Sequence, residues 1–192
     1  MRKWGITGLI GMMLLLFSTA AMAETISLSF IGDCTIGDNE KHRGYGASFT
    51  GKIGKLGLAY PFSLFTDLFF TDDLTIANCE VVFTNRTKHA NKTINLRATP
   101  EWAEVFALGG IDIVNTENNH INDYGRAGRA DTLQALSDQG VSAFGGGLLA
   151  TVDIKGVKIG FTGYTFPHRG SIDRQKADIA ALRDGQRSSQ FA

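Results

Sequence analysis

Three polar clusters carry the chemistry available to this sequence. Gly32-Asp33 follows an apolar run at residues 26–31, and Asn78-Cys79-Glu80 follows another at 74–77. The densest, Asn115-Thr116-Glu117-Asn118-Asn119-His120-Ile121-Asn122-Asp123-Tyr124-Gly125, follows a third at 111–114. Each reads as a strand that ends in donors and acceptors. Singly, each has a bland explanation. Asp33 can cap a turn, Glu80 can be a solvated strand end, and His120 can be a hydrogen-bonded structural histidine. Asn118 and Asn119 are residue types that loops favour. Together they bring two carboxylates, an amide oxygen and an imidazole to three successive strand ends. Oxygen donors suit hard divalent cations, and imidazole suits Mn, Fe or Zn. A bound cation of that kind lowers the pKa of its water and polarises a phosphoryl or carbonyl oxygen, so the implied chemistry is hydrolytic.

Other candidates are weaker. Gly145-Gly146-Gly147 lacks the spacing of a dinucleotide loop and reads as a turn. His42, His89 and His168 are far apart in sequence, and no serine nucleophile elbow is present. Cys34 has no marked base partner for nucleophilic work.

The elements that must position the clusters follow from hydrophobic period and punctuation. Strand one is expected to end at Gly32-Asp33, and a long Gly-rich loop follows to Ala59 with room for a short helix. Pro61 starts a helix carrying Phe62, Phe65 and Phe69 on one face. Strand two runs 74–77. A helix capped by Thr99, with Pro100 at its first position and Trp102, Val105 and Phe106 buried, stops at Gly109-Gly110. Strand three runs 111–115. A further helix spans 125–139, with Ala130, Leu133 and Ser137 at helical spacing. A short strand at 141–144 and a hairpin about Lys155-Gly156 follow. A last helix covers 178–183, and residues 184–192 are polar and patternless. Strand–helix alternation of this kind argues an α/β domain with a largely parallel sheet and right-handed crossovers. In such sheets ligands sit beyond the carboxyl ends of the strands.

Bulk properties agree. The chain has 192 residues, 43% hydrophobic and 20% charged, with 19 basic and 19 acidic side chains, so bulk charge gives no sign of a nucleic-acid binder. Arg2 and Lys3, an apolar run from Ile6 to Phe17 and Ala21-Met22-Ala23 read as a secretory signal peptide cleaved after Ala23. The expected organisation is a leader at 1–23, a domain at 24–183 and a disordered tail at 184–192, with a periplasmic or extracellular location. Disulfides persist in such a compartment. Cys34 and Cys79, each near a strand end, therefore read either as a bridge or as two small buried thiols.

The ordered set Gly32-Asp33 with Gly37, Asn78-Cys79-Glu80, Asn118-Asn119-His120-Ile121-Asn122-Asp123-Tyr124-Gly125, Asp131-Thr132-Leu133 and Gly145-Gly146-Gly147 resembles the CapA family. These are capsule-synthesis or poly-γ-glutamate-biosynthesis proteins with a calcineurin-like metallophosphatase fold. The resemblance covers about residues 26–170. It implies a layered α/β sheet with flanking helices, incomplete in this chain, and a metallophosphoesterase-like site. By that likeness Asp33, Glu80 and Asn119 are metal ligands for Mn, Fe or Zn, and His120 is a proton donor supported by Asp123. Arg97 is an anion contact. Calcineurin-like enzymes carry a His two residues after the first Asp, where this chain has Thr35, and the later His-containing motifs of longer members have no counterpart here. The likeness therefore implies a single ion or none. It also implies an anionic cell-surface polymer, or the complex that makes and exports it, as partner, with the membrane engaged only peripherally. The alternative is a non-catalytic accessory of that machinery.

Overall fold

The computed structural model describes residues 24–43, 45–165, 171–185 and 189–190. The expected leader, His168 and most of the expected tail lie outside these residues. The elements run β1 (Leu28–Cys34), β2 (Asp38–Asn39), α1 (Phe49–Leu56), α2 (Thr66–Phe69), β3 (Leu74–Cys79), β4 (Val82–Phe83), β5 (Leu96–Ala98), α3 (Glu104–Leu108), β6 (Ile113–Asn115), α4 (Gly125–Asp138), β7 (Ser142–Phe144), β8 (Ala150–Ile154), β9 (Val157–Phe161), α5 (Ser171–Arg183) and β10 (Ser189–Gln190).

The centre is a four-stranded sheet in the order β1-β3-β6-β7, parallel at every pairing. Its strands therefore deliver their carboxyl ends to one edge, as the alternation of elements predicted. Two cores sandwich it. One face packs Cys79, Phe83, Phe106, Val114 and Leu136 against the helices. The other packs Ile76, Ile113 and Phe144 against Ala150, Ile154 and Phe161 of the β8–β9 hairpin. That hairpin turns at Lys155 (φ 53°) and Gly156 (φ 78°), two consecutive left-handed residues, which is the geometry a tight two-residue turn between twisted strands requires. A small third sheet, β2-β5-β4, lies beyond the carboxyl edge of β1 and β3.

Several local expectations are corrected. β1, expected to end at Gly32-Asp33, runs one residue further to Cys34, with a register irregularity between Phe30 and Asp33. The helix expected over the phenylalanine run is a 3₁₀ turn at Tyr60–Phe62 followed by the four-residue α2. Phe62 and Phe69 are buried there, but Phe65 is 54% exposed. Tertiary packing breaks the stripe. Phe62 wedges over Gly109, where an added Cβ would meet its ring at 2.4 Å. Thr99 makes no side-chain cap, and Pro100–Ala103 forms a 3₁₀ turn ahead of α3. In α4 the buried positions are Gly128, Thr132, Ala135 and Leu136, and Leu133 packs partly buried against the same core. Thr132 Oγ1 donates to the Gly128 carbonyl and accepts the Phe83 N–H, so a threonine occupies the core face. Within the expected tail, Ser189–Gln190 pairs parallel with β8.

Candidate functional site

Register places the three polar clusters side by side. Asp33 of β1 is the Cα partner of Asn78 in β3, and Asn78 is the partner of Asn115 in β6. Side chains alternate between faces along a strand. Asp33 and Asn78 therefore point to one face, while their neighbours Cys34 and Cys79, also register partners, point into the helix-side core. Both cysteines are free, buried thiols in this structure, which is the second of the two readings the sequence left open. Burial first, and then the Asp33 charge, pushes the Cys34 thiol up to about 12. Burial likewise raises Cys79. Neither is primed as a nucleophile, since the thiolate is the reactive form.

Glu80 lies just past β3. Burial, and then the negative charge of Asp33, raise its carboxyl above the ordinary range. Thr35, at the position where the resemblance would place a histidine, sets its hydroxyl 3.5 Å from Glu80 Oε2. His120 is buried. Its Nδ1 lies 2.8 Å from Asp123 Oδ2, and since a carboxylate only accepts, Nδ1 carries the proton of that bond. Nε2 is thereby turned towards Glu80, 4.0 Å from Oε1. Asp123 is fully buried and also accepts the Leu96 N–H at 2.7 Å. Lys92 Nζ pairs with its second oxygen and donates to the Asn119 carbonyl at 2.9 Å. Asn119 itself is exposed at the loop tip.

The structure thus brings Asp33, Glu80 and His120 together and places Asp123 behind His120. Arg97 stands apart. Its guanidinium is buried, with Nε and Nη2 each 3.0 Å from a Glu40 carboxylate oxygen, Nη1 on the Thr84 carbonyl and the Tyr124 ring 5.6 Å from its carbon. A fork engaged in this way is a structural clamp, and the expected anion contact does not project into the strand-end edge.

Three residues given no role from the sequence hold the site. Asn118 pins the loop. Its Oδ1 accepts the N–H groups of His120 and Ile121, and its Nδ2 donates to Asn78 Oδ1 and the Cys79 carbonyl. Asn78 donates to Asp33 at 2.7 Å. Lys92, on the connection between β4 and β5, neutralises Asp123. Strand alternation was the signal for Asn78, which shares a face with Glu80. Nothing local in the sequence marks Lys92.

The donor chemistry suits a hard cation, because a like-charged carboxylate pair with one member's pKa raised is relieved by positive charge. Among the described residues, no group of three His, Cys, Asp or Glu side chains is arranged to hold an ion by itself. An ion would draw on Asp33 and Glu80 and complete its shell from an amide oxygen or water.

The raised Glu80 carboxyl has a direct consequence for stability. An acid whose pKa rises on folding costs stability once ionised. The cost is absent below the unfolded carboxylate range and grows as pH climbs towards the folded pKa. In chelator, Glu80→Gln is expected to raise Tm at pH 7 by roughly 2 °C and to leave it unchanged at acid pH. Thermal melts at both pH values check this, and a lower Tm at pH 7 would contradict it.

The layered α/β architecture with acid and imidazole groups at the carboxyl edge of a parallel sheet agrees with the expected calcineurin-like class. The chain belongs to the family described as bacterial capsule synthesis protein PGA_cap, which matches residues 27–190. Among curated proteins it is similar to "Capsule biosynthesis protein CapA" of Bacillus anthracis, 24% identical over 153 residues, covering 74% of this chain and 35% of that protein. It is also similar to "PGA biosynthesis protein CapA" of Bacillus subtilis (strain 168), 27% identical over 152 residues, covering 74% and 38%. The chain thus spans little more than a third of the relatives it matches. No helix among the described residues is long and apolar enough to cross a membrane.

Proposed function

We propose that this chain is an exported protein of capsule or poly-γ-glutamate synthesis whose strand-end edge binds a divalent cation through Asp33 and Glu80. The supporting observation is the convergence at one sheet edge of Asp33, Glu80 and a His120 oriented by Asp123. The bound cation would supply Lewis acidity and a water of lowered pKa for hydrolysis of a phosphoester-like bond. This chain's own residues do the rest. Asp123 fixes the His120 tautomer and leaves Nε2 facing the edge, where it can hold or give up a proton at a leaving oxygen. The relatives' printed names support a polymer-synthesis role, and residues 1–23 support export with cleavage after Ala23.

A second reading is a non-catalytic accessory that holds an anionic chain at the same edge. It is favoured by the loose donor set, which lacks three converging His, Cys, Asp or Glu side chains among the described residues. Titration with Mn²⁺, followed by the loss of its free-ion electron paramagnetic resonance signal, separates the two. The metal reading expects saturable binding that Asp33→Ala weakens at least tenfold, as removal of a direct ligand should. Equal uptake by wild type and Asp33→Ala, or no uptake by either, would overturn it.

A further inference from the structure

Asp33, Asn78 and Asn115 form a transverse row, being register partners on three adjacent parallel strands. They stand one pleat beyond Ile76 and Ile113, on the hairpin side of the sheet. Hydrogen bonds connect the row in one direction. Asn115 Nδ2 donates to Asn78 Oδ1 at 3.0 Å, and Asn78 Nδ2 donates to Asp33 Oδ1 at 2.7 Å. Asn118 Nδ2 makes a second donation to Asn78 Oδ1 at 3.1 Å.

This network fixes which end of the Asn78 amide is which. Its oxygen already receives two N–H donors, so turning the amide over would set NH₂ against NH₂ and oxygen against the Asp33 carboxylate. Asn115 is itself boxed in. A Cβ on Gly163 would lie 2.1 Å from its Oδ1, and one on Gly145 would lie 2.5 Å away. Its amide is further tied to Glu117, whose N–H it accepts and whose carbonyl takes its Nδ2. The sense of the chain is therefore anchored at β6 and delivered at β1.

We propose that Asn78 is a positioning residue of the site. By holding Asp33 Oδ1 it sets the rotamer of that carboxylate and the face left for a cation. Through Asn118, which accepts the His120 N–H, it ties the same geometry to the imidazole. Strand β1 is the outer strand of the sheet and Asp33 is exposed, so without this bond the carboxylate is free to swing into solvent. The inference rests on the divalent-cation reading given above.

Mn²⁺ affinity of the whole chain tests it through a double-mutant cycle of Asn78→Ala and Asp33→Asn. Removing a partner that orients a ligand typically weakens metal binding by about 10–100-fold. That loss is expected for Asn78→Ala in the wild-type background and is expected to vanish in the Asp33→Asn background, because Asn78 acts through the Asp33 carboxylate. An equal loss in both backgrounds, or no loss in either, overturns the proposal while leaving the cation reading intact. Failure of the wild type to bind Mn²⁺ overturns the cation reading itself, and the proposal falls with it. Should Asn78→Ala not fold, the wild-type chain answers the same question by NMR. During a Mg²⁺ titration the Asn78 side-chain NH₂ resonances are expected to shift in step with binding. Resonances that stay still at saturation overturn the proposal.

Discussion

Asp123→Ala is expected to cost about 3–5 kcal/mol of stability, the range for removing one partner of a buried, hydrogen-bonded charge. For a chain of this size that corresponds to a fall in Tm of roughly 10 °C. The size follows from what the carboxylate holds. It is fully buried, accepts His120 Nδ1–H and the Leu96 N–H on one oxygen, and is ion-paired with the Lys92 ammonium through the other. Alanine leaves two buried donors without an acceptor and one cation without its partner. Asp123→Asn keeps the shape and one acceptor oxygen, so its loss should be smaller, on the order of 1–2 kcal/mol. Urea unfolding of the three chains measures both steps. A loss below about 1 kcal/mol for Asp123→Ala would show that water replaces the carboxylate and that His120 is not held as described. The result bears on function as well as stability, because Asp123 is what turns His120 Nε2 towards Glu80. A chain that survives the substitution should show a His120 ring no longer restricted to one tautomer.

The second large effect is expected at Arg97, where the resemblance implied an anion contact and the structure shows a clamp. Arg97→Ala is expected to cost about 3 kcal/mol, the lower end for a broken buried ion pair, because the Glu40 partner keeps part of its access to water. The guanidinium joins β5 to the 3₁₀ turn at Glu40–His42 through Glu40, and to the start of α4 through the Tyr124 ring. The Arg97 hydrogen bonds hold the Glu40 carboxyl below its ordinary pKa. The stability from this pair is therefore present above the unfolded carboxylate range and is lost as pH falls through the folded pKa. Replacing both partners by methionine should recover much of the loss, since the desolvation cost of two charges disappears together. Denaturant midpoints for the single and double variants test this. An Arg97→Ala chain of wild-type stability with weakened anion binding would restore the contact and remove the clamp.

The strand-end loop shows how far sequence alone reached. Period-two apolar runs followed by Asp33, Glu80 and Asn119-His120 were enough to place three acids and bases at the ends of successive strands. The strand–helix alternation was enough to make those strands parallel. That inference is robust because crossover handedness and the carboxyl-edge rule depend on backbone chirality, which every sequence shares. The hairpin at Lys155-Gly156 was legible for a similar reason, since its signal is a local dihedral demand.

What the tertiary structure decided is which members of each cluster act together. Asn118 pins the loop, because only the fold brings the Asn78 amide oxygen and the Cys79 carbonyl within reach of it. The resemblance assigned Arg97 to an anion, and nothing local marked Lys92. The fold pairs Arg97 with Glu40, 57 positions away, and Lys92 with Asp123. The buried face of α4 was settled in the same way: Thr132 joins Ala135 and Leu136 in the core because its hydroxyl accepts the distant Phe83 N–H. Apolar period and turn chemistry are written in neighbouring residues and determine the elements. Partner choice among polar groups depends on strand register and on which donors lose water, and those are settled only when distant segments pack.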